Sequence, residues 1–508
     1  MKKYFLFTFL FSSLFSFAQN VGIGTATPNA SAQLDISANN KGMLIPRMTT
    51  TQRKAINNPA MGLMLFDTDK ATVMFYDGTA WRALSFSDEN KTDPQSRNST
   101  NPLSSAAFGG KVAISGNYAI IGAPRYNAGG MVNMGVAYIF NKTTSGWRQM
   151  ARLAAYDSAA SDYFGGAVAI SGDYAVVGSC NKTVGTNVAQ GRVYIFRRVS
   201  AAWVLDTAIV KPQGQAYEDF GWSVGVCATN TGGIGVAIGI PYSDATGADR
   251  GQVYCYQKAA TSWSFVQSIS PTDLLNSDYY GFAISMDTDY IAISATGQDN
   301  ATYAYPDAGA VYVYAYGGGV WNFQQKLQGT TIRGQFGFAI ALSANKLAVG
   351  APWATTYSNT SASVYVYERT GAAWTNITSI FIYNFEIIPG AGQIQPVSGV
   401  SSISIANLTF GISLGLAGNT LLIGSSGGAE YPNGGSSYYS DRIGAVYIYK
   451  NLSGNNYTRT NMIQSEFPSN GDLFGQSVSI SGNQYIIGNS RATVNGFVNA
   501  GNVYFGTE

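Results

Sequence analysis

No histidine occurs anywhere in the 508 residues. Triads built on an imidazole base, His-ligated metal centres and the commonest general acid–base are therefore excluded. The three cysteines, Cys180, Cys227 and Cys255, lack their usual partner for nucleophilic work. Paired acids alone suffice for glycoside hydrolysis, and Tyr with Lys or Arg for a lyase, but the acidic residues are spread over recurring turns and no pair stands out. Asp162, Asp278 and Asp472 share one place in those turns, where a carboxylate either ligates a metal or, in the preferred reading, caps the turn. Aromatic residues beside amides and carboxylates are better represented. Tyr126, Tyr242, Asp244, Tyr303, Tyr305, Trp353, Tyr357, Tyr431 and Tyr438 fall in segments that differ in length and sequence. Flat rings with polar neighbours suit a sugar face or a protein hot spot. These are the candidate ligand-binding residues; no catalytic, metal or cofactor residue is assigned. With 33 tyrosines in the chain, some reach loops for no functional reason, so the face they share is a better candidate than any one of them.

Those segments hang on a repeat of about 56 residues, each copy opening with an aromatic–Gly pair: Phe108-Gly109, Phe164-Gly165, Phe220-Gly221, Tyr280-Gly281, Phe336-Gly337, Phe410-Gly411 and Phe474-Gly475. A fixed period of this size means one supersecondary unit repeated. Within each copy two β-branched runs flank a tight turn such as Ser115-Gly116-Asn117, where Gly and Asn or Asp are expected to supply positive φ. A third strand follows (GVAYIF at 135–140, GRVYIF at 191–196), then a fourth marked by Trp147, Trp203, Trp263, Trp321, Trp374 or Tyr457. Four strands per copy, seven copies and no helical periodicity predict an all-β fold, a seven-bladed β-propeller with a small N-terminal module. A β-solenoid is the structural alternative, with coils usually shorter than these units. Glycines allow close backbone approach near the axis, and the aromatics pack between blades. In the last copy Glu508 follows directly on the third strand, while GTAWRALSFS at 78–87 carries a matching Trp81. The expectation is that residues 78–87 complete the last blade, so that the propeller spans 78–508 and no sheet edge is left open. In such a ring the loops between second and third strands share a face with the loops joining blades, and variable loops on a regular scaffold are where binding usually resides.

At Phe108-Gly109 with Gly122-Ala123-Pro124, and Phe336-Gly337 with Gly350-Ala351-Pro352, the chain resembles the FG-GAP repeats that build the integrin α-subunit propeller and many bacterial surface proteins. The resemblance covers about residues 108–508. Calcium-binding members carry a DxDxDG-type loop between the first two strands; here that place holds SGN, SGD, SAN or AGN. These are too short and too poor in carboxylates for a calcium shell. Residues GMLIPRMTTTQR (42–53) and FYDGTAW (75–81) resemble a module at the start of bacterial surface and phage tail-fibre-like proteins, which implies an attachment or stalk segment at 19–77 that self-associates. There MLIPRMTTTQRKAI offers strand, turn and short helix, GLMLFDTD with TVMFYDG a hairpin, and 88–107 a connecting loop.

Residues 1–18 combine two lysines, an apolar stretch and a small-residue end at Ser16-Phe17-Ala18, the pattern of a secretory signal cleaved near Ala18. No later run approaches a membrane span. Charged residues make up 11% of the chain and the net charge is +2, which argues against nucleic acid as a partner. Cys227 and Cys255 fall in one repeat with a strand between them, so free, mostly buried thiols are expected. The reading that joins these features is a secreted or cell-surface, adhesin-like protein, not an enzyme, whose loop face binds a glycan or extracellular protein. Two alternatives stay open: a polysaccharide-acting lyase or hydrolase, and a purely structural surface protein.

Overall fold

The computed structural model describes residues 21–69, 72–83, 95–100, 102–259, 261–355, 361–382, 409–426, 444–453, 455–465 and 471–508. The chain divides into two units, Met1–Asp88 and Glu89–Glu508. In the larger unit the described strands sort into seven four-stranded antiparallel sheets. The first is built from Lys111–Ser115, Tyr118–Ala123, Val136–Thr143 and Gly146–Leu153, each paired with the next in sequence. This all-β arrangement fits a β-propeller.

The tight turn between the first two strands works through its glycine alone. Gly116, Gly172, Gly418 and Gly482 have φ of 54° to 59°, the conformation that favours glycine. Contrary to expectation, the Asn or Asp that follows does not share the positive φ; Asn117 instead accepts the Lys142 N–H on its carbonyl at 2.9 Å. In the fifth sheet Ala344 stands in the glycine's place at φ 53°. These turns are tied from sheet to sheet. Ser115 Oγ accepts from Gly172 N (3.1 Å), Asp287 Oδ2 from Ala344 N (2.5 Å), and Ser481 Oγ from Gly116 N (3.0 Å). The last of these joins the seventh sheet to the first.

At the opposite end the aromatic–Gly pair sets the spacing. The seven aromatic rings are at most 2% exposed, and Phe108 meets Tyr138 of its own third strand edge-on at 5.3 Å. Gly109 N donates to the carbonyl of Gly122 in the second strand of its sheet, at 3.0 Å. Over Gly122 in turn lies the carbonyl of Gly165 from the next sheet, and a methyl there would overlap it. The two glycines of the motif are thus one device: each second-strand glycine is bare so that the next sheet's backbone can rest on it. The fourth-strand aromatics pack between sheets as expected: Trp203 against Tyr118 (6.0 Å), Trp263 against Tyr174 (6.1 Å), Trp374 against Tyr290 (5.8 Å) and Trp147 stacked on Phe505 (4.4 Å).

The seventh sheet is completed from the N-terminal side, but by Gln95–Arg97 rather than by residues 78–83 of the expected segment 78–87, whose last four lie outside the described residues. Val503, Tyr504 and Phe505 pair with Arg97, Ser96 and Gln95. Arg97 Nε donates to the Trp147 carbonyl at 2.9 Å, the same reach that Gln267 and Gln325 make to the carbonyls of Trp321 and Trp374 at 3.0 Å. Trp81 belongs to a local hairpin: Trp81–Ala83 pairs with Thr72–Tyr76, and Asp77 Oδ1 accepts the N–H groups of Thr79 and Ala80 in the connecting turn, each at 2.7 Å. The boundary of the larger unit accordingly moves from residue 78 to Glu89, and the segment expected to be loop supplies a strand.

In the smaller unit Val21–Ile23 pairs in parallel with Leu34–Ile36, and Arg47–Met48, Met64–Asp67, Thr72–Tyr76 and Trp81–Ala83 form a four-stranded sheet. The expected short helix is Thr50–Lys54, opened by a capping box between Thr49 and Gln52. Arg53 and Asp67, 4% and 0% exposed, form a buried ion pair at 2.8 Å, with Thr50 Oγ1 also donating to Asp67.

Candidate binding face

Lys111 pairs with Gly122 and Ala167 with Gly178, so first strands begin, and second strands end, at the aromatic–Gly end of each sheet. Three positions recur there: the residue before the pair, the residue after it, and the third residue beyond the second-strand glycine. In the third, fourth and fifth sheets six of these places hold rings that touch one another. Tyr279 meets Tyr242 at 5.6 Å and Tyr242 meets Trp222 at 5.3 Å. Trp222 meets Phe282 at 5.9 Å, Phe282 meets Phe338 at 5.2 Å, and Phe338 meets Trp353 at 4.6 Å. Trp353 is 38% exposed and the other five are partly exposed. The result is a continuous half-exposed aromatic arc crossing three sheets.

Asp219, before Phe220, flanks the arc, and burial pushes its carboxyl up to about 6. Burial, and then the neighbouring Asp219, raise the Tyr242 phenol. Cys180 beside them has its thiol pushed up to about 12 by burial and by Asp219. Such a thiol is protonated and unreactive at neutral pH. Cys227 and Cys255 are free and buried, as expected.

Of the residues singled out from sequence, the arc brings together Tyr242 and Trp353. Tyr126 is a correction: it is 7% exposed, sits in the core of the first sheet, and accepts a hydrogen bond from Arg152 Nη1 at 3.2 Å. Asp244 shapes its own loop by accepting the Asp249 N–H at 2.8 Å. Tyr303 and Tyr305 stack on each other at 5.6 Å as a separate pair. Tyr357, Tyr431 and Tyr438 lie outside the described residues. Trp222, Tyr279, Phe282 and Phe338 were not singled out. Their signal was the residue beside each aromatic–Gly pair, which reads as repeat framework until neighbouring copies are compared.

Asp162 and Asp278 behave as caps. Asp162 Oδ2 accepts the Ala159 N–H and Asp278 Oδ2 the Leu275 N–H, each at 2.7 Å. Glu218 plays the same part for Gln215 at 2.7 Å. Lys182 lies 2.9 Å from Asp162, and Lys211 bonds Glu218. Among the described residues no group of three His, Cys, Asp or Glu is placed to hold a metal ion. A cavity of about 210 Å³ beside Phe336, Tyr365, Tyr367 and Asn376 has no carboxylate or cation in its lining.

Fold and face together fit a β-propeller-type repeat protein with an aromatic sector. The FG-GAP repeat family matches residues 100–140, 147–196, 263–314 and 468–505, so the chain carries FG-GAP repeats, as its glycine pairs implied. Residues 22–101 match the phage tail like trimerisation region, in agreement with the resemblance drawn from residues 42–53 and 75–81. No curated protein matches the chain. Among solved structures it is similar to the crystal structure of Saccharomyces cerevisiae Sqt1, with 11% identity, a TM-score of 0.37, and coverage of 82% of this chain and 98% of that one. No helix among the described residues is long and apolar enough to cross a membrane.

Proposed function

We propose that the seven sheets are the blades of a seven-bladed propeller in a secreted, adhesin-like, non-enzymatic protein, and that the aromatic–Gly end of the ring binds a glycan or an extracellular protein. FG-GAP repeats already point to a propeller-type binding protein. The observation that carries the reading further is the aromatic arc. Partly exposed rings in mutual contact present a rigid apolar surface with little side-chain entropy left to lose on binding. The pattern of residues 1–18 supports export. The trimerisation-region match supports self-association, and Val21, Ile23, Leu34 and Ile36, 41–54% exposed on the paired strands, supply apolar surface for it.

The test is a glycan array and a surface-protein pull-down with the mature chain, beside Trp222→Ala and Trp353→Ala. Saturable binding that both substitutions weaken at least tenfold, with unchanged melting temperature, supports the site. Binding indifferent to both would move it elsewhere.

A further inference from the structure

Resting on that reading, we infer that the ligand is an acidic saccharide, its sugar rings on the aromatic arc and its carboxylate on the ammonium of Lys111. The seven inner strands, from Lys111–Ser115 to Phe474–Ser481, contain one charged residue, Lys111. It lies one residue deeper than the position that holds Trp222, Phe282 and Phe338, at the same end of the ring. Its side chain is exposed, while the protein around it lowers its pKa by desolvation. Its backbone place, beside Gly110 at the start of the first strand, puts it at the aromatic–Gly end of the ring. No Asp or Glu occupies the inner strands to neutralise it.

The rest of the mouth is graded in the same sense. At the position following the pair, the first and second sheets carry Gly110 and Gly166, leaving room beside Lys111, whereas the third to fifth carry the rings. At the third position beyond the second-strand glycine, Tyr242 and Trp353 on the aromatic side correspond to Arg125 and Arg491 in the first and seventh sheets, both exposed. The ring end therefore has a cationic sector at the first and seventh sheets and an apolar sector at the third to fifth. A neutral glycan uses only the second. A uronate-containing chain uses both, since the faces of its rings are apolar and its carboxylates seek a cation from which bulk water is partly excluded. Asp219, beside Tyr242, offers an acceptor for sugar hydroxyls.

Isothermal titration of the full chain with oligomers of galacturonate, glucuronate and mannuronate, and with neutral glucose, galactose and mannose oligomers of equal length, tests this. The expected result is at least one acidic oligomer bound tenfold or more tighter than its neutral counterpart. Lys111→Gln should remove that preference, Lys111→Arg should keep most of it, and Trp222→Ala should weaken acidic and neutral binding alike. Neutral and acidic oligomers bound equally, with Lys111→Gln without effect, would overturn the acidic ligand and leave the arc as the site. Binding unaffected by Trp222→Ala would overturn the site itself. No member of either set bound would overturn the saccharide altogether and leave a protein partner for the face. Melting temperatures of the variants separate lost binding from lost folding.

Discussion

The carbonyl oxygen of Gly109 rests directly over the α-carbon of Gly488, in a space that a single methyl group would fill. One residue opens the first sheet and the other lies in the second strand of the last, so this contact, repeated elsewhere between neighbouring sheets, is here the seam of the ring. Ser477 Oγ reinforces it by accepting the Val112 N–H at 3.0 Å.

Gly488→Ala should therefore loosen the seam. The added carbon meets backbone, which cannot rotate away, and overpacking of this kind costs about 1–3 kcal/mol. Thermal unfolding should show a clear fall in melting temperature; an unchanged value would mean that the first and last sheets are not in contact.

Ala344 offers the opposite experiment. It holds φ 53° at the turn position where Gly116, Gly172, Gly418 and Gly482 stand in other sheets. Ala344→Gly should raise stability by about 1 kcal/mol, because the relief of a left-handed alanine exceeds the entropy glycine adds to the unfolded chain. A lower melting temperature would count against the strained turn.

Deleting residues 78–87 should leave the unfolding of the larger unit nearly unchanged, since Gln95–Arg97 completes the seventh sheet. Arg97→Ala should destabilise that unit by about 1–2 kcal/mol through loss of the bond to the Trp147 carbonyl. The reverse pattern in differential scanning calorimetry would restore Trp81 to the ring.

Burial raises the Asp278 carboxyl to about 6, with Asp299, Asp273 and Lys326 as its charged neighbours. The folded chain then holds a proton that the unfolded chain has released between about pH 4 and pH 6, so this group makes stability fall as pH rises through that window and stay low above it. Asp278→Asn, whose amide oxygen still accepts from Leu275, should stabilise the protein by up to about 2 kcal/mol at pH 7.5 and hardly at all at pH 4. Urea melts at both values decide it; equal effects at the two would show the carboxylate is not strained.

The glycine pairs and the fourth-strand tryptophans made the repeat readable because close backbone approach and inter-sheet packing admit few residue types. A tryptophan does not by itself mark a strand's place in the ring. Trp81 packs on Tyr76 at 5.5 Å within its own hairpin, while the closing strand carries Arg97 and no aromatic marker. The face was partly legible. Tyr242 and Trp353 stood out because their loops vary, but Trp222, Phe282 and Phe338 sit in regular strand entries and share a surface only through the curvature of the ring. Tyr126 showed the converse, a loop tyrosine that folds back into the core.

The clasp between Asn502 and Ser96, whose side chains bond at 3.2 Å, joins residues 406 apart in sequence. Translated at roughly 5–20 residues per second, the early strand waits about 20–80 s for its partner. Throughout that time the nascent chain carries one sheet edge that nothing made so far can cover.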